Sequence, residues 1–205
     1  FPSLKNLKTN MSYKFSEEYL KKSLSYKEYI LLTDRLVADE KTTGENQSPE
    51  MIEYTKLNAQ RMSRIYKTTE ISKEFNDVLK NKQLWVLIAE PWCGDVANTV
   101  PVFAKIAESS EKISLHILLR DENTEVMNEY LTNGARSIPI LIILDENYEE
   151  KYVWGPRPSE LQSMVLEYKR SGDFDIEELK KNVQLWYFND KTQSTQKELL
   201  NLLKK

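Results

Sequence analysis

The chain has 205 residues, 40% hydrophobic and 30% charged, with a net charge of −3 from 29 Lys and Arg against 32 Asp and Glu. This balance fits a globular chain of one or two domains with a full core, and it lacks the basic footprint of a nucleic-acid binder, so no nucleic-acid partner is expected. Five glycines, the closest pair being 155 and 172, exclude glycine-rich nucleotide loops, and one Cys with one His excludes an intramolecular disulfide and a Cys/His zinc site, so neither cofactor nor metal is expected.

The chain opens with Phe1-Pro2-Ser3-Leu4-Lys5, without an initiator Met or the charged-then-apolar pattern of a signal peptide. The terminus reads as trimmed, and the expected location is cytoplasmic. From Ser16 to about Asn81 the pattern is helical. A Ser25-x-x-Glu28 capping box opens a segment in which Tyr29, Leu32, Thr33 and Leu36 recur at helical spacing. The polar stretch Lys41 to Ser48 breaks it. Ser48-Pro49, a cap residue followed by proline at the first helical position, then starts a long helix over about 50–66, with Met51, Tyr54, Met62 and Ile65 on one arc.

Past Asn81 the period changes. Leu84 to Ala89 is a continuous apolar run, and Ile113 to Leu119 and Ile138 to Leu144 repeat that reading, as buried strands of an α/β sheet do. None approaches the roughly 18 residues of a membrane-spanning helix, so no membrane span is expected. Between them lie helices carrying Val96, Val100, Phe103 and Ala107, and then Val126, Met127, Tyr130 and Leu131 before the Asn133-Gly134 stop. Asp145-Glu146-Asn147 joins Ile140 to Leu144 with Tyr148 to Trp154 as an antiparallel hairpin. Leu161, Met164, Val165 and Tyr168 mark a further helix. Beyond Ser171-Gly172-Asp173 two more are expected, one with Ile176, Leu179, Val183 and Trp186, the other opening at a Thr195-x-x-Glu198 box.

Cys93 stands between the end of a buried strand and the start of a helix, in Ala89-Glu90-Pro91-Trp92-Cys93-Gly94-Asp95-Val96. A thiol there faces free backbone N–H groups and the positive end of the helix dipole, which favour thiolate. An unpaired cysteine is also among the most often buried residue types, and then acts as a small inert hydrophobe. Both readings stand open on the residues alone.

The surroundings resemble the thioredoxin superfamily. Trp92-Cys93-Gly94 matches the entry to the W-C-G-P-C motif, Pro101 stands where thioredoxins kink the same helix, and Gly134-Ala135-Arg136-Ser137-Ile138-Pro139 looks like the cis-proline loop, followed by a hairpin and Gly155. The resemblance covers about Leu84 to Arg170, with a first strand expected near Tyr66 to Ile71. Tyr54-Thr55-Lys56-Leu57-Asn58, the Trp92-Cys93-Gly94-Asp95 variant and Trp154-Gly155-Pro156-Arg157-Pro158 are similar to a bacterial group of thioredoxin-like proteins with one active-site cysteine. It implies an α/β fold with a thioredoxin-like three-layer α/β/α core over 82–170, a helical extension over 1–81 packed on it, and C-terminal helices over 171–205.

The departures define the expected chemistry. Val96 stands where the motif has its resolving cysteine, and Val86 or Leu87 where a buried Asp would accept a proton. A second thiol therefore has to come from outside the chain. Asp95 replaces the motif's proline, as a helix-start carboxylate or as an anion or base acting on Cys93. The resemblance gives Pro139 a cis bond and makes Ile138, with Trp92, a shallow peptide-binding edge. Arg120, Arg136 and Arg157 are placed near the rim, where a cluster would lower the Cys93 pKa or bind a carboxylate, although scattered surface arginines are the commoner case. Tyr54, Asn58 and Arg61 share an arc with apolar residues, poised to bond the core or line its pocket. His116 reads as a satisfied or edge histidine and Glu90 as a solvated loop carboxylate.

The expected function is a thioredoxin-like protein with monothiol thiol–disulfide redox activity. Cys93 is the reactive thiol, Trp92, Gly94, Asp95, Ile138, Pro139 and Arg136 are its binding residues, and protein or small-molecule thiols and disulfides are its partners. The alternative is a non-catalytic thioredoxin-fold binding or adaptor module. Thiol peroxidase fits less well, because Glu90 occupies the position of the Thr that precedes a peroxidatic cysteine.

Overall fold

Trp85, Val86, Leu87, Ile88 and Ala89 are all fully buried. Successive side chains of a strand point to opposite faces, so this run requires a sheet covered on both sides. The computed structural model describes residues 13–170, 172 and 175–205. The opening Phe1 to Lys5, and Ser171 and Asp173 of the expected turn, lie outside them. The elements run α1 (Glu17–Leu20), α2 (Tyr26–Ala38), α3 (Pro49–Thr68), α4 (Phe75–Val78), β1 (Gln83–Ala89), α5 (Gly94–Glu108), β2 (Ile113–Leu119), α6 (Thr124–Glu129), β3 (Ile140–Asp145), β4 (Glu150–Trp154), α7 (Ser159–Arg170), α8 (Ile176–Asp190) and α9 (Gln193–Leu203).

The strands form one sheet in the order β2-β1-β3-β4. β1 and β2 are parallel, with Leu87 opposite Ile117, and α5 supplies the crossover that a parallel pair needs. β3 runs antiparallel to β1, placing Leu141 opposite Leu87, and β4 returns antiparallel to β3 as a hairpin. This is the α/β sheet flanked by helices that a thioredoxin-like fold contains.

No strand forms at 66–71. α3 continues to Thr68, its last amide bonds being satisfied within the helix, and the outer edge of β2 is met by Leu24, whose N–H and carbonyl each pair with Ile117 at 2.8 Å. The helix starts follow their caps. Ser25 and Glu28 form the reciprocal capping box of α2, and Ser48 caps α3 with Pro49 at its first position. The expected box at Thr195 does not cap. α9 begins at Gln193 after Thr192, Thr195 is buried inside it, and the Glu198 carboxylate accepts from the Trp154 indole at 2.8 Å and the Ser159 N–H at 2.7 Å. A tertiary partner with a buried indole outcompetes a local amide.

Two apolar clusters result among the described residues. The main one gathers the sheet, α5, Tyr29, Met62 and Phe75, and takes Leu199 and Leu200 from α9. The other is private to α7 and α8: Leu161, Val165, Leu179, Val183 and Tyr187. The chain therefore leaves the main core after β4, makes a helical pair with its own small core, and returns at α9.

Candidate functional site

β1 ends at Ala89, the chain turns through Glu90-Pro91-Trp92, and Cys93 becomes the N-cap residue of α5. Its Sγ donates to the Ile138 carbonyl at 3.6 Å, beside the cis Ile138–Pro139 bond. Cys93 keeps partial access to solvent. Burial and the Asp95 carboxylate push its thiol up to about 12, against the pull of the Val96 and Asp95 backbone N–H groups and of Arg157. Desolvation of a thiolate outweighs the helix terminus here.

Asp95 is a buried ion-pair partner. Its Oδ2 lies 2.6 Å from the Arg157 guanidinium, and its Oδ1 accepts from the Tyr187 hydroxyl at 3.1 Å. Burial nevertheless pushes the Asp95 carboxyl above the usual carboxylate range, with Arg157 opposing it. Arg157 is thus not a scattered surface arginine. Its position follows from β4: Gly155 has φ +131°, and a Cβ there would sit 2.3 Å from the Pro139 carbonyl, so only glycine lets the strand pass the proline loop.

Helix α3 supplies the opposite wall. The Asn58 amide donates to the Pro91 carbonyl at 2.9 Å, tying α3 to the cysteine turn, and Arg61 donates to the Asn58 oxygen at 2.5 Å. Helix α8 closes over both. Gln184 accepts from Asn98 at 2.9 Å, and its amide nitrogen lies where a Cβ on Gly94 would approach to 2.8 Å. Lys180 reaches Tyr54 at 2.5 Å and Glu50 at 3.1 Å on α3. Between α3, α5, α7 and α8 lies a cavity of about 390 Å³, lined by Trp92, Cys93, Gly94 and Asp95 and by Leu57, Val165, Leu179 and Val183.

The remaining candidates fall elsewhere. Arg120 lies over the Trp92 ring at 4.6 Å and donates to the Arg136 carbonyl at 3.4 Å. Arg136 is exposed, bonds Asn128 at 3.0 Å and does not line the cavity. His116 pairs with Ser23 at 2.9 Å on β2. Glu90 is the correction: it is fully buried, accepting from the Thr43 hydroxyl and, at 2.9 Å, from the Asp121 N–H. The segment before α3 brings Thr43 onto it, and burial pushes its carboxyl pKa up. Sequence reasoning missed Lys180, Gln184 and Tyr187. Their spacing of four and three on α8 puts them on adjoining turns of one helical face, but nothing local says that this face meets Cys93.

The thioredoxin family's sequence profile matches residues 44–174. Among solved structures, the chain is similar to an HIV epitope-scaffold and to a protein of unknown function from Pseudomonas aeruginosa. Each is 12% identical with a TM-score of 0.54, over 88% of this chain and 98% of the other. At that identity the likeness is one of fold. No curated protein matches the chain.

Proposed function

The chain belongs to the thioredoxin family, and from that premise we propose that it is a binding member of the family, whose cysteine face receives a small molecule in a pocket instead of exchanging disulfides with proteins. The observation that carries this reading is the cavity of about 390 Å³ at Cys93, walled by α3 and α8. That volume lies in the range of small-ligand pockets, about 300–1,000 Å³. The thiol argues the same way. A pKa of about 12 puts the thiolate fraction at neutral pH more than a thousandfold below that of a free cysteine near 8.5. A more basic thiolate is a better nucleophile, with a Brønsted slope of about 0.4–0.5, so the net loss in exchange rate is on the order of a hundredfold. The chain has no second cysteine to release a mixed disulfide.

Monothiol exchange with an external resolving thiol is the second reading, favoured by the Val96 and Asp95 backbone N–H groups that act on Sγ. In it the Cys93 thiolate attacks a disulfide sulfur of a protein or small molecule, releases the other sulfur as thiolate, and is freed when an outside thiol attacks the mixed disulfide. Alkylation of Cys93 by iodoacetamide across pH separates the two. The binding reading expects a pKa well above 8.5 and, at pH 8, a rate at least tenfold below that of free cysteine. A pKa below 8 with rapid mixed-disulfide formation would overturn it in favour of exchange.

A further inference from the structure

The charges lining the cavity do not balance. Arg157 pairs with Asp95, and Lys180 with Glu50 and Glu177. Arg61 has no carboxylate partner among the described residues; its one acceptor is the Asn58 amide oxygen. It is half-buried, and burial, with Arg64 nearby, works against its charge. A guanidinium stays protonated and presents five N–H donors, so Arg61 faces the cavity with donors to spare and a desolvation cost that no protein anion offsets. Burial and the Asp95 carboxylate work against a thiolate at Cys93. Lys169, which also lines the cavity, is exposed and acts on the Asp95 carboxylate.

Beside Tyr54 and Gln184, the lining carries apolar side chains: Leu57 from α3, Val165 from α7, and Leu179 and Val183 from α8. We infer that the cavity takes a small amphipathic monocarboxylate, its head group on Arg61 and its apolar body along Leu57, Val165, Leu179 and Val183. This rests on the ligand-binding reading above. The head is a monoanion because one partly buried cation, Arg61, has no carboxylate partner among the described residues. Arg61 suits a carboxylate through its planar fork, which offers two parallel N–H donors. Size follows from volume: at about 30 Å³ for each water, the cavity holds on the order of a dozen non-hydrogen atoms, the scale of a ten-carbon acid.

The test is calorimetric titration of the full chain with decanoate and with decanol, repeated on Arg61→Met and Arg61→Lys. Decanoate is expected to bind the wild type and to lose about ten- to hundredfold in affinity in Arg61→Met, the range of a charge-assisted hydrogen bond. Arg61→Lys, which keeps the charge and loses the fork, is expected in between. Decanol is expected to bind more weakly than decanoate and to be indifferent to either substitution. Circular dichroism checks the fold of each variant, and Arg61→Lys alone decides the matter if Arg61→Met does not fold. Decanoate that fails to bind, or binds Arg61→Met as well as wild type, overturns the assignment. Decanol as tight as decanoate removes the head-group argument and leaves the pocket reading standing. Failure of both probes together with fast alkylation of Cys93 removes both readings.

Discussion

Glu90 sits fully buried between two donors, the Thr43 hydroxyl and the Asp121 N–H, and its carboxyl is raised above its ordinary value of 4.5 by burial. The folded chain therefore holds the Glu90 proton more tightly than the unfolded chain does. The stability tied to that proton is fully present below the ordinary value and is lost as pH rises through the folded one. Glu90→Gln keeps the shape, accepts from the Asp121 N–H with its oxygen, and donates from its amide to a Thr43 hydroxyl that has lone pairs to spare. At pH 7.5 the variant is expected to be as stable as the wild type or up to about 1 kcal/mol more so, since it buries no charge. Urea unfolding at pH 5 and pH 7.5 checks this: the wild type loses stability relative to the variant as pH rises, and a variant less stable by more than about 2 kcal/mol at pH 7.5 rules the account out. The residue was misread from sequence for a definable reason. Burial of Glu90 is imposed by Thr43, 47 positions earlier, and no window of local polarity contains that information.

At the scale of elements, two glycines separate clashes that the structure absorbs from those it does not. A Cβ on Gly155 meets the Pro139 carbonyl, a backbone atom, at 2.3 Å and with φ at +131°. A Cβ on Gly94 meets the Gln184 amide at 2.8 Å, the far end of a side chain that can swing away. Gly155→Ala is expected to cost more than about 3 kcal/mol or to prevent folding, whereas Gly94→Ala costs about 1 kcal/mol, the Asn98–Gln184 bond, against a gain in helix propensity. Thermal unfolding of both variants tests the ranking, and equal losses would defeat it. Element type was legible in the sequence because periodicity is: the run Leu84 to Ala89, the Ser25 box and Ser48-Pro49 each carry a mechanism that the packing does not contradict. Where tertiary partners took over, local signals failed. The Tyr66 to Ile71 strand gave way to an α3 that runs on to Thr68, and the Thr195 box gave way to Glu198 bonding Trp154 and Ser159. The Cys93 turn was legible from its motif; the α8 wall of its cavity was not, because amphipathic spacing identifies a face and leaves its partner unstated.

For the whole molecule, the decisive fact is that α7 and α8 own their apolar cluster, while the chain on either side belongs to the main core. What holds α8 across the cysteine face is polar: Lys180 to Glu50 and Tyr54, Gln184 to Asn98, and Tyr187 to Asp95. Bonds of this kind contribute about 0.5–1.5 kcal/mol each, so lifting the helical pair costs far less than unfolding a sheet whose strand β1 is fully buried from Trp85 to Ala89. Both ends stay anchored during such an opening, one where Glu198 holds Ser159 and the other where Leu199 and Leu200 enter the core. The pair is therefore expected to open as a unit without the rest, widening the access to Cys93 that the closed form already leaves. Native-state hydrogen exchange at low denaturant reads this directly. Amides of α8 are expected to exchange through an opening several kcal/mol below the global unfolding free energy, with a small denaturant dependence, while those of β1 and β3 exchange only on global unfolding. A ligand bound in the cavity bridges α3 and α8, so saturating decanoate is expected to slow exchange in α8 far more than in β1. If α8 instead exchanges together with β1 with and without ligand, the helical pair is a fixed wall and this account is overturned.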